Sequence, residues 1–343
     1  MRRGPVIALV VIVGAPLIVA ALLASAYLTP MRTAGGTVHL RSGMGARAVA
    51  TELASQGLLS HPRTFLVFAR LREVDRDLRA GRYVIPPNAS MKDLLALLSA
   101  GPNLRERVTI REGSRVEEIA SVLARAAAVD SAAFVALAGD EEAARWLGVP
   151  GPTLEGYLFP ETYEFSWGVT PEEVAAIMVA EYREVMTPVL AARAESLGLG
   201  ERSAVTLASV IEAETGLPDE RARVSAVFHN RLHAGWNLEA DPTVRFATRN
   251  FSNEITVDEL AFDSPYNTYR FPGLPPGPIG SPGRAALHAA LFPLMPSAEF
   301  FFVASGDGGH IFSRTAEEHA RAKALARRRA AANGEGGDKD DGS

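Results

Sequence analysis

Apolar positions change their spacing three times along this chain. From Val6 to Leu28 they are almost continuous, broken only by Gly14, Pro16 and Ser25. A helix of that length can cross ~30 Å of hydrocarbon. Arg2 and Arg3 precede the run, which predicts an N-terminus held in the cytoplasm and an exported remainder. Ala24-Ser25-Ala26 has the form of a signal-peptidase site, so a cleaved leader is the alternative. The run is longer than the h-region of a typical signal peptide, which favours an anchor over residues 1–28.

After a polar link at 29–35 the pattern becomes alternating, then helical. Val38 and Leu40 lead into Gly43, and Val49, Ala50, Leu53 and Ala54 follow at helical spacing. The same order returns 70 residues later as Val108, Ile110 and Gly113, then Ile119, Ala120, Leu123 and Ala124. Each copy reads as strand, glycine turn and amphipathic helix. A strand at 81–85 and a helix near 91–100 complete a small α+β module over 36–102, with Gly101-Pro102 as its boundary. From 103 to 332 the spacing is mainly helical. Helices are predicted from Pro171 to about Leu197, over 203–215, over 219–233 and over 315–332. A hairpin is predicted with strands at 300–304 and 310–313 around Gly306–Gly309. Residues 333–343 read NGEGGDKDDGS, a composition that predicts a disordered acidic tail. The fold class expected is therefore α+β: a transmembrane helix, a small α+β module, and a mainly helical domain with short strands.

Composition narrows the chemistry. The 343 residues carry a net charge of −5, which argues against nucleic acid as a partner. There is no cysteine, which excludes disulfides, thiolate metal sites and cysteine nucleophiles. No phosphate-binding glycine loop and no Gly-x-Ser-x-Gly elbow occurs. His229 and His233 lie four apart, but Asn230 stands where a metalloprotease helix would carry glutamate, so no metal and no cofactor is expected.

The chemistry concentrates in carboxylates and aromatics. Glu212 and Glu214 close the helix predicted over 203–215. Two apart, they point about 200° away from each other and cannot act as a facing pair. Glu214 follows Leu207, Val210 and Ile211 at spacings of seven, four and three, so it ends an apolar stripe. There the protonated form of a carboxyl is favoured, as a general acid requires. Glu212 follows the smaller Ala208 and Ser209. A second cluster, Asp241-Pro-Thr243 with Ser264-Pro-Tyr266-Asn267-Thr268-Tyr269, mixes aromatic faces with amide, hydroxyl and carboxylate groups, the combination that sugars need; capping residues of surface turns are the plainer reading. Residues 271–283 hold five prolines and four glycines, too apolar for a linker and suited to a rigid loop lining a groove. Leu154–Tyr163 is a further aromatic and acidic segment, with Tyr157 and Glu161.

These segments resemble, in order, the MltG/YceG-like family of endolytic murein transglycosylases. The matching stretches are LEGYLFPETYEF (154–165), ASVIEAET (208–215), VFHNRL (227–232), DPTV (241–244), SPYNTYRFPGLPPGPI (264–279), PG (282–283) and FFVASGDGGHIFS (301–313). The resemblance implies a membrane-anchored enzyme on the wall side of the cytoplasmic membrane, with a LysM-like module at 36–102 and a catalytic domain at 103–332. It implies cleavage between N-acetylmuramic acid and N-acetylglucosamine within glycan strands, leaving 1,6-anhydromuramyl ends. It points to Glu214 as the catalytic residue, to peptidoglycan as the substrate and to peptidoglycan synthases as partners. Asp241, Tyr266, Asn267, Thr268, Glu161 and Tyr157 are the residues expected to bind substrate. Two rival readings remain at this stage: a muramidase pairing Glu214 with Asp241 or Glu161, and a non-catalytic wall-binding scaffold.

Overall fold

The structure, a computed structural model, describes residues 17–41, 43–76, 78–251 and 255–335. The chain is a mixed α+β protein, mostly helical with short strands. It divides into two compact units. One holds the residues up to Val108 with Ala124–Val129 and Glu164–Thr170. The other holds Thr109–Leu123, Asp130–Tyr163 and the residues from Pro171 onward.

The first unit begins with α1 (17–28). It continues through β1 (Gly36–Leu40), α2 (Ala46–Ser55), α3 (Pro62–Leu71), β2 (Gly81–Ile85) and α4 (Met91–Ala100). Strands β1 and β2 pair antiparallel, with Gly36 opposite Ile85 and Leu40 opposite Gly81. Their alternation turns Val38, Leu40, Tyr83 and Ile85 inward. These pack with Val49 and Leu53 of α2, Phe65 and Phe68 of α3, and Leu94 and Leu98 of α4. Burying each such side chain is worth about 1.5–3 kcal/mol. Helix α4 starts on a reciprocal cap between Ser90 and Asp93, which satisfies two otherwise orphaned amides.

A second two-stranded sheet joins β3 (Arg105–Thr109) to β4 (Thr162–Ser166), and α5 (Val116–Ala127) follows β3. The repeat seen in sequence is a repeat of local structure. Val108, Ile110, Ile119, Ala120 and Leu123 are buried as Val38, Leu40, Val49, Ala50 and Leu53 are. Gly43 and Gly113 both take a left-handed φ, +80° and +76°, which glycine adopts without steric cost.

Among the described residues no helix is long and apolar enough to cross a membrane. Residues 1–16, which carry much of the apolar run, lie outside them, and α1 exposes Leu17, Ile18, Val19, Leu22 and Leu23.

The second unit contains α6 (Ser131–Ala138), α7 (Glu141–Trp146), α8 (Pro171–Val185), α9 (Pro188–Ser196), α10 (Glu201–Glu214), α11 (Pro218–Ala234), α12 (Asp241–Thr248), α13 (Val257–Leu260) and α14 (Arg284–Leu291). The helix expected from Pro171 to Leu197 is two helices. Pro188 lacks an amide hydrogen and would clash with the preceding turn, so the chain breaks there and restarts with Thr187 capping the amide of Leu190. Helix α10 is the centre of the unit. Every residue from Ala204 to Ile211 is buried, as expected of a helix enclosed on all sides. It packs on α14, α9, α11 and α12.

The proline- and glycine-rich segment lies along α10 as an irregular strap. Arg202 donates to the Pro276 carbonyl, and Ser209 Oγ accepts from the Ile279 amide at 3.0 Å. The Gly113 amide donates to the Ser281 carbonyl at 2.7 Å, and the Ser281 amide donates to the Ser114 carbonyl at 2.9 Å. A Cβ at Gly280 would stand 2.5 Å from the Gly113 carbonyl oxygen, so this approach needs glycine.

Strands β5 (Phe301–Ala304) and β6 (His310–Ser313) form the hairpin, with Phe301 opposite Ser313. Helix α15 (Ala316–Glu335) packs on both. It runs past Ala332, so the first residues assigned to the acidic tail are helical. Residues 336–343 lie outside the described residues.

Candidate active site

Helix α10 stops at Glu214 because Thr215 is extended (φ −141°, ψ 128°) and Pro218 opens α11 at its first turn. This places the Glu214 carboxyl at a helix C-terminus, where the dipole disfavours negative charge. The side chain is half-buried and accepts no hydrogen bond from the described residues. Burial raises its pKa from 4.5 to about 8; the neighbouring Asp241 carboxylate acts in the same direction and the Arg231 guanidinium opposes it. Glu214 is therefore mostly protonated at neutral pH, with no partner to compete for its proton.

Asp241 is held beside it from another helix. It occupies the first turn of α12, followed by Pro242, a position where the helix dipole favours a negative charge. The Tyr269 hydroxyl donates to Asp241 Oδ1 at 2.6 Å. Arg231, buried on α11, braces the connection before α12. Its Nη1 donates to the Leu238 carbonyl at 2.6 Å and its Nε to the Phe300 carbonyl at 2.7 Å, while Glu239 lies 3.5 Å away.

Glu214 and Asp241 both line two cavities of the second unit. One, about 370 Å³, is walled by Gly113, Arg115, Glu118, Pro242, Arg245, Phe246, Phe251 and Ile279. The other, about 550 Å³, is walled by Arg231, Glu239, Tyr269, residues 302–304, His310, His319 and Lys323. The acid thus opens on either side to space that a chain-like substrate can fill.

The other residues singled out in sequence fall in different places. Tyr266 is half-buried and packs on Phe246, centroids 4.9 Å apart; Phe246 lines the smaller cavity and Tyr266 does not. Asn267 and Thr268 are fully buried and line neither cavity. Asn267 donates to the carbonyls of Leu260 and Phe262, both at 2.9 Å, and accepts from the Tyr269 amide. Thr268 Oγ1 accepts from the Ala240 amide at 3.0 Å and bonds the Thr243 hydroxyl at 2.8 Å. With those groups engaged inside the fold, the pair braces the loop that carries Tyr269 and the turn before Asp241. Tyr157 is a core residue, edge-on to Tyr182 at 5.3 Å. Glu161 is exposed and bonds the amide of Thr162 at 2.8 Å. Neither lines a cavity with Glu214.

Glu212 is a clamp. Its carboxylate accepts from the Gly283 amide at 3.0 Å and from Arg221 at 3.1 Å, tying α10 to the strap and to α11. Sequence reasoning passed over Tyr269, Arg231 and Glu155. Glu155 accepts from the Val116 amide at 3.4 Å, its other oxygen is buried without a partner, and burial raises its pKa to about 8. Tyr269 stood within the quoted motif, but nothing local marks it above Tyr266.

His229 is buried and bonds the Ala290 carbonyl at 2.8 Å. No group of three or more His, Asp or Glu among the described residues is arranged to hold a metal ion.

A protonated glutamic acid without internal partners, next to an anchored carboxylate and open cavities, has the features that general acid/base chemistry needs. The sequence model of the YceG-like family matches residues 38–325, and the chain belongs to that family. Relatives include the endolytic murein transglycosylase of Bacillus subtilis (strain 168), 27% identical over 302 residues that span 83% of each chain. The endolytic murein transglycosylase of Streptococcus pneumoniae serotype 2 (strain D39) is also 27% identical, covering 83% of this chain and 57% of that one. The crystal structure of a yceG-like protein of Listeria monocytogenes is similar with a TM-score of 0.58 at 26% identity, covering 84% of this chain and 98% of that one.

Proposed function

We propose that the chain is an endolytic lytic transglycosylase that cuts the β-1,4 bond between N-acetylmuramic acid and N-acetylglucosamine within glycan strands. The observation that carries the reading is Glu214, raised to about 8 and free of internal hydrogen bonds between two cavities. Glu214 gives its proton to the glycosidic oxygen as the C1–O bond breaks, and an oxocarbenium-like muramyl state forms. The resulting carboxylate takes the proton of the C6 hydroxyl, whose oxygen bonds C1 of the same ring to give the 1,6-anhydro end. The nucleophile is already attached, so much of the entropic barrier is removed beforehand. One group serves as acid and then base, which requires a pKa near neutrality. Asp241 helps to keep that proton in place, and its negative charge favours the cationic state. Phe246 and Phe251 in the smaller cavity offer faces for sugar rings.

The apolar run Val6–Leu28 supports anchoring in the cytoplasmic membrane with the remainder on the wall side. In that setting residues 36–102 form a LysM-like module, and the reaction ends nascent strands beside the peptidoglycan synthases. A two-carboxylate muramidase is the second reading, favoured by the placement of Asp241 beside Glu214; it would release reducing ends. The test of the main reading is the length distribution of purified glycan strands incubated with the full chain in detergent. Wild type shortens internal segments and Glu214→Gln leaves the strands intact. Shortening by the variant at the wild-type rate would remove Glu214 from the mechanism.

A further inference from the structure

The first unit has a surface that the cleavage chemistry does not use. Helix α3 turns Phe65, Phe68 and Ala69 into the core. Arg63, Val67, Arg70 and Leu71 are exposed on its other side, and their spacing puts them on one helical stripe. Val67 is 50% and Leu71 68% exposed. Apolar residues scattered singly over a surface are ordinary. Here Leu71 adjoins the exposed apolar helix α1, and Val67 stands one turn before it. A cavity of about 220 Å³ is walled by Leu23, Ala24 and Tyr27 of α1 and by Phe68, Leu71 and Arg72. The Tyr27 and Phe68 rings pack at 4.9 Å, and the Arg72 guanidinium lies over the Tyr27 ring at 5.2 Å. The link after α1 is fastened to the unit: Met31 is buried and its amide donates to the Ala89 carbonyl at 3.1 Å.

Length fixes depth. The apolar run Val6–Leu28 has 23 residues, about 35 Å as a helix, against ~30 Å of hydrocarbon. A spanning helix therefore overhangs by only about 2 Å at each end. Leu23 stands five residues, about 7.5 Å, before the end of the run, so it lies below the hydrocarbon boundary. Leu71 walls the same small cavity and is brought to that boundary with it. Tyr27 and Arg72 come to the headgroup level, where tyrosine rings are favoured and arginine reaches toward polar groups. Charge points the same way. Residues 29–104 hold ten Arg and Lys against five Asp and Glu, in a chain whose net charge is −5. Arg63, Arg70 and Arg72 form no salt bridge among the described residues.

We propose that the exposed stripe of α3 docks on an anionic lipid surface beside α1, with Val67 and Leu71 entering the boundary between headgroups and acyl chains and Arg63, Arg70 and Arg72 pairing with lipid phosphates. This rests on the anchoring reading and goes beyond it: the first unit lies against the bilayer instead of hanging from it on a free tether. An acidic polymer would satisfy the arginines but offers nothing to Val67 and Leu71, so a lipid surface is the partner that fits the whole stripe.

The chain has no cysteine, so Val67→Cys and Leu71→Cys each carry a single fluorescent label at an exposed position. Each full-length protein is reconstituted into vesicles of phosphatidylcholine and phosphatidylglycerol, with one lipid or the other brominated near the headgroup as a contact quencher. Both lipids quench both labels. At equal mole fraction brominated phosphatidylglycerol acts as if enriched by roughly fivefold, the worth of one arginine at an anionic surface. Adding Arg63→Gln, Arg70→Gln and Arg72→Gln, all at exposed positions, abolishes that preference, and high salt weakens it. Labels that stay unquenched, or a wild-type protein quenched equally by the two lipids, overturn the proposal. Flotation of the same vesicles in high salt reports separately on the anchor. A chain that floats with unquenched labels refutes the docking alone, and a chain left behind refutes the anchoring reading as well.

Discussion

Glu214→Gln makes the protein more stable at alkaline pH as well as inactive. The folded-state pKa of about 8 stands above the ordinary 4.5, so the folded chain binds the extra proton more tightly than the unfolded one. The neutral form is the one the fold accommodates. Wild-type stability is therefore full below about 4.5, declines as pH rises through that window and levels off above about 8. At 1.36 kcal/mol per pKa unit the whole rise corresponds to about 5 kcal/mol. Glu214 borders two open cavities, which screen its charge, so a loss of about 2–3 kcal/mol is the expected size. Glutamine keeps the shape and does not titrate. Thermal unfolding of the two proteins from pH 5 to pH 9 measures the difference. The melting temperatures coincide at pH 5 and diverge by roughly 5–10 °C at pH 9, with the variant higher. A gap that stays constant across that range refutes the claim that Glu214 is held protonated by the fold.

Asp241→Asn removes the charge that helps burial to raise Glu214, so the alkaline limb of kcat/KM moves to lower pH, read from a pH–rate profile. Asn267→Ala strips the side-chain partner from the partly buried Leu260 and Phe262 carbonyls and lowers stability by about 1–2 kcal/mol, measured by denaturant unfolding. Gly280→Ala drives a methyl into the Gly113 carbonyl and costs about 2 kcal/mol in the same assay, loosening the strap over α10.

Much of this molecule is legible in its sequence where the information is periodic. The stripe Leu207, Val210, Ile211, Glu214 singles out the acid because a helix fixes which residues share a face. The strand–glycine–helix echo survives as matched burial at Val38 and Val108, Leu40 and Ile110, Val49 and Ile119. Elements fail where one residue overrides the period, as Pro188 does between α8 and α9. The site beyond Glu214 is harder to read because its parts meet only in three dimensions. Asp241 looks like a turn residue and is the first turn of a helix. Asn267 and Thr268 carry the polar groups a sugar site would use, yet their hydrogen bonds are spent inside the fold. Tyr157 is aromatic in a quoted motif and serves the core. Arg231, Tyr269 and His319 come from α11, a loop and α15, and no spacing rule relates them.

The chemistry of the new chain ends tests the account most directly. Mass spectrometry of glycan strands cut by the full chain in detergent, beside its Glu214→Gln variant, distinguishes the products by one water. The account predicts internal 1,6-anhydromuramyl ends that are absent with the variant. Reducing muramyl ends would contradict it, because they require an external water and a second carboxylate acting with Glu214.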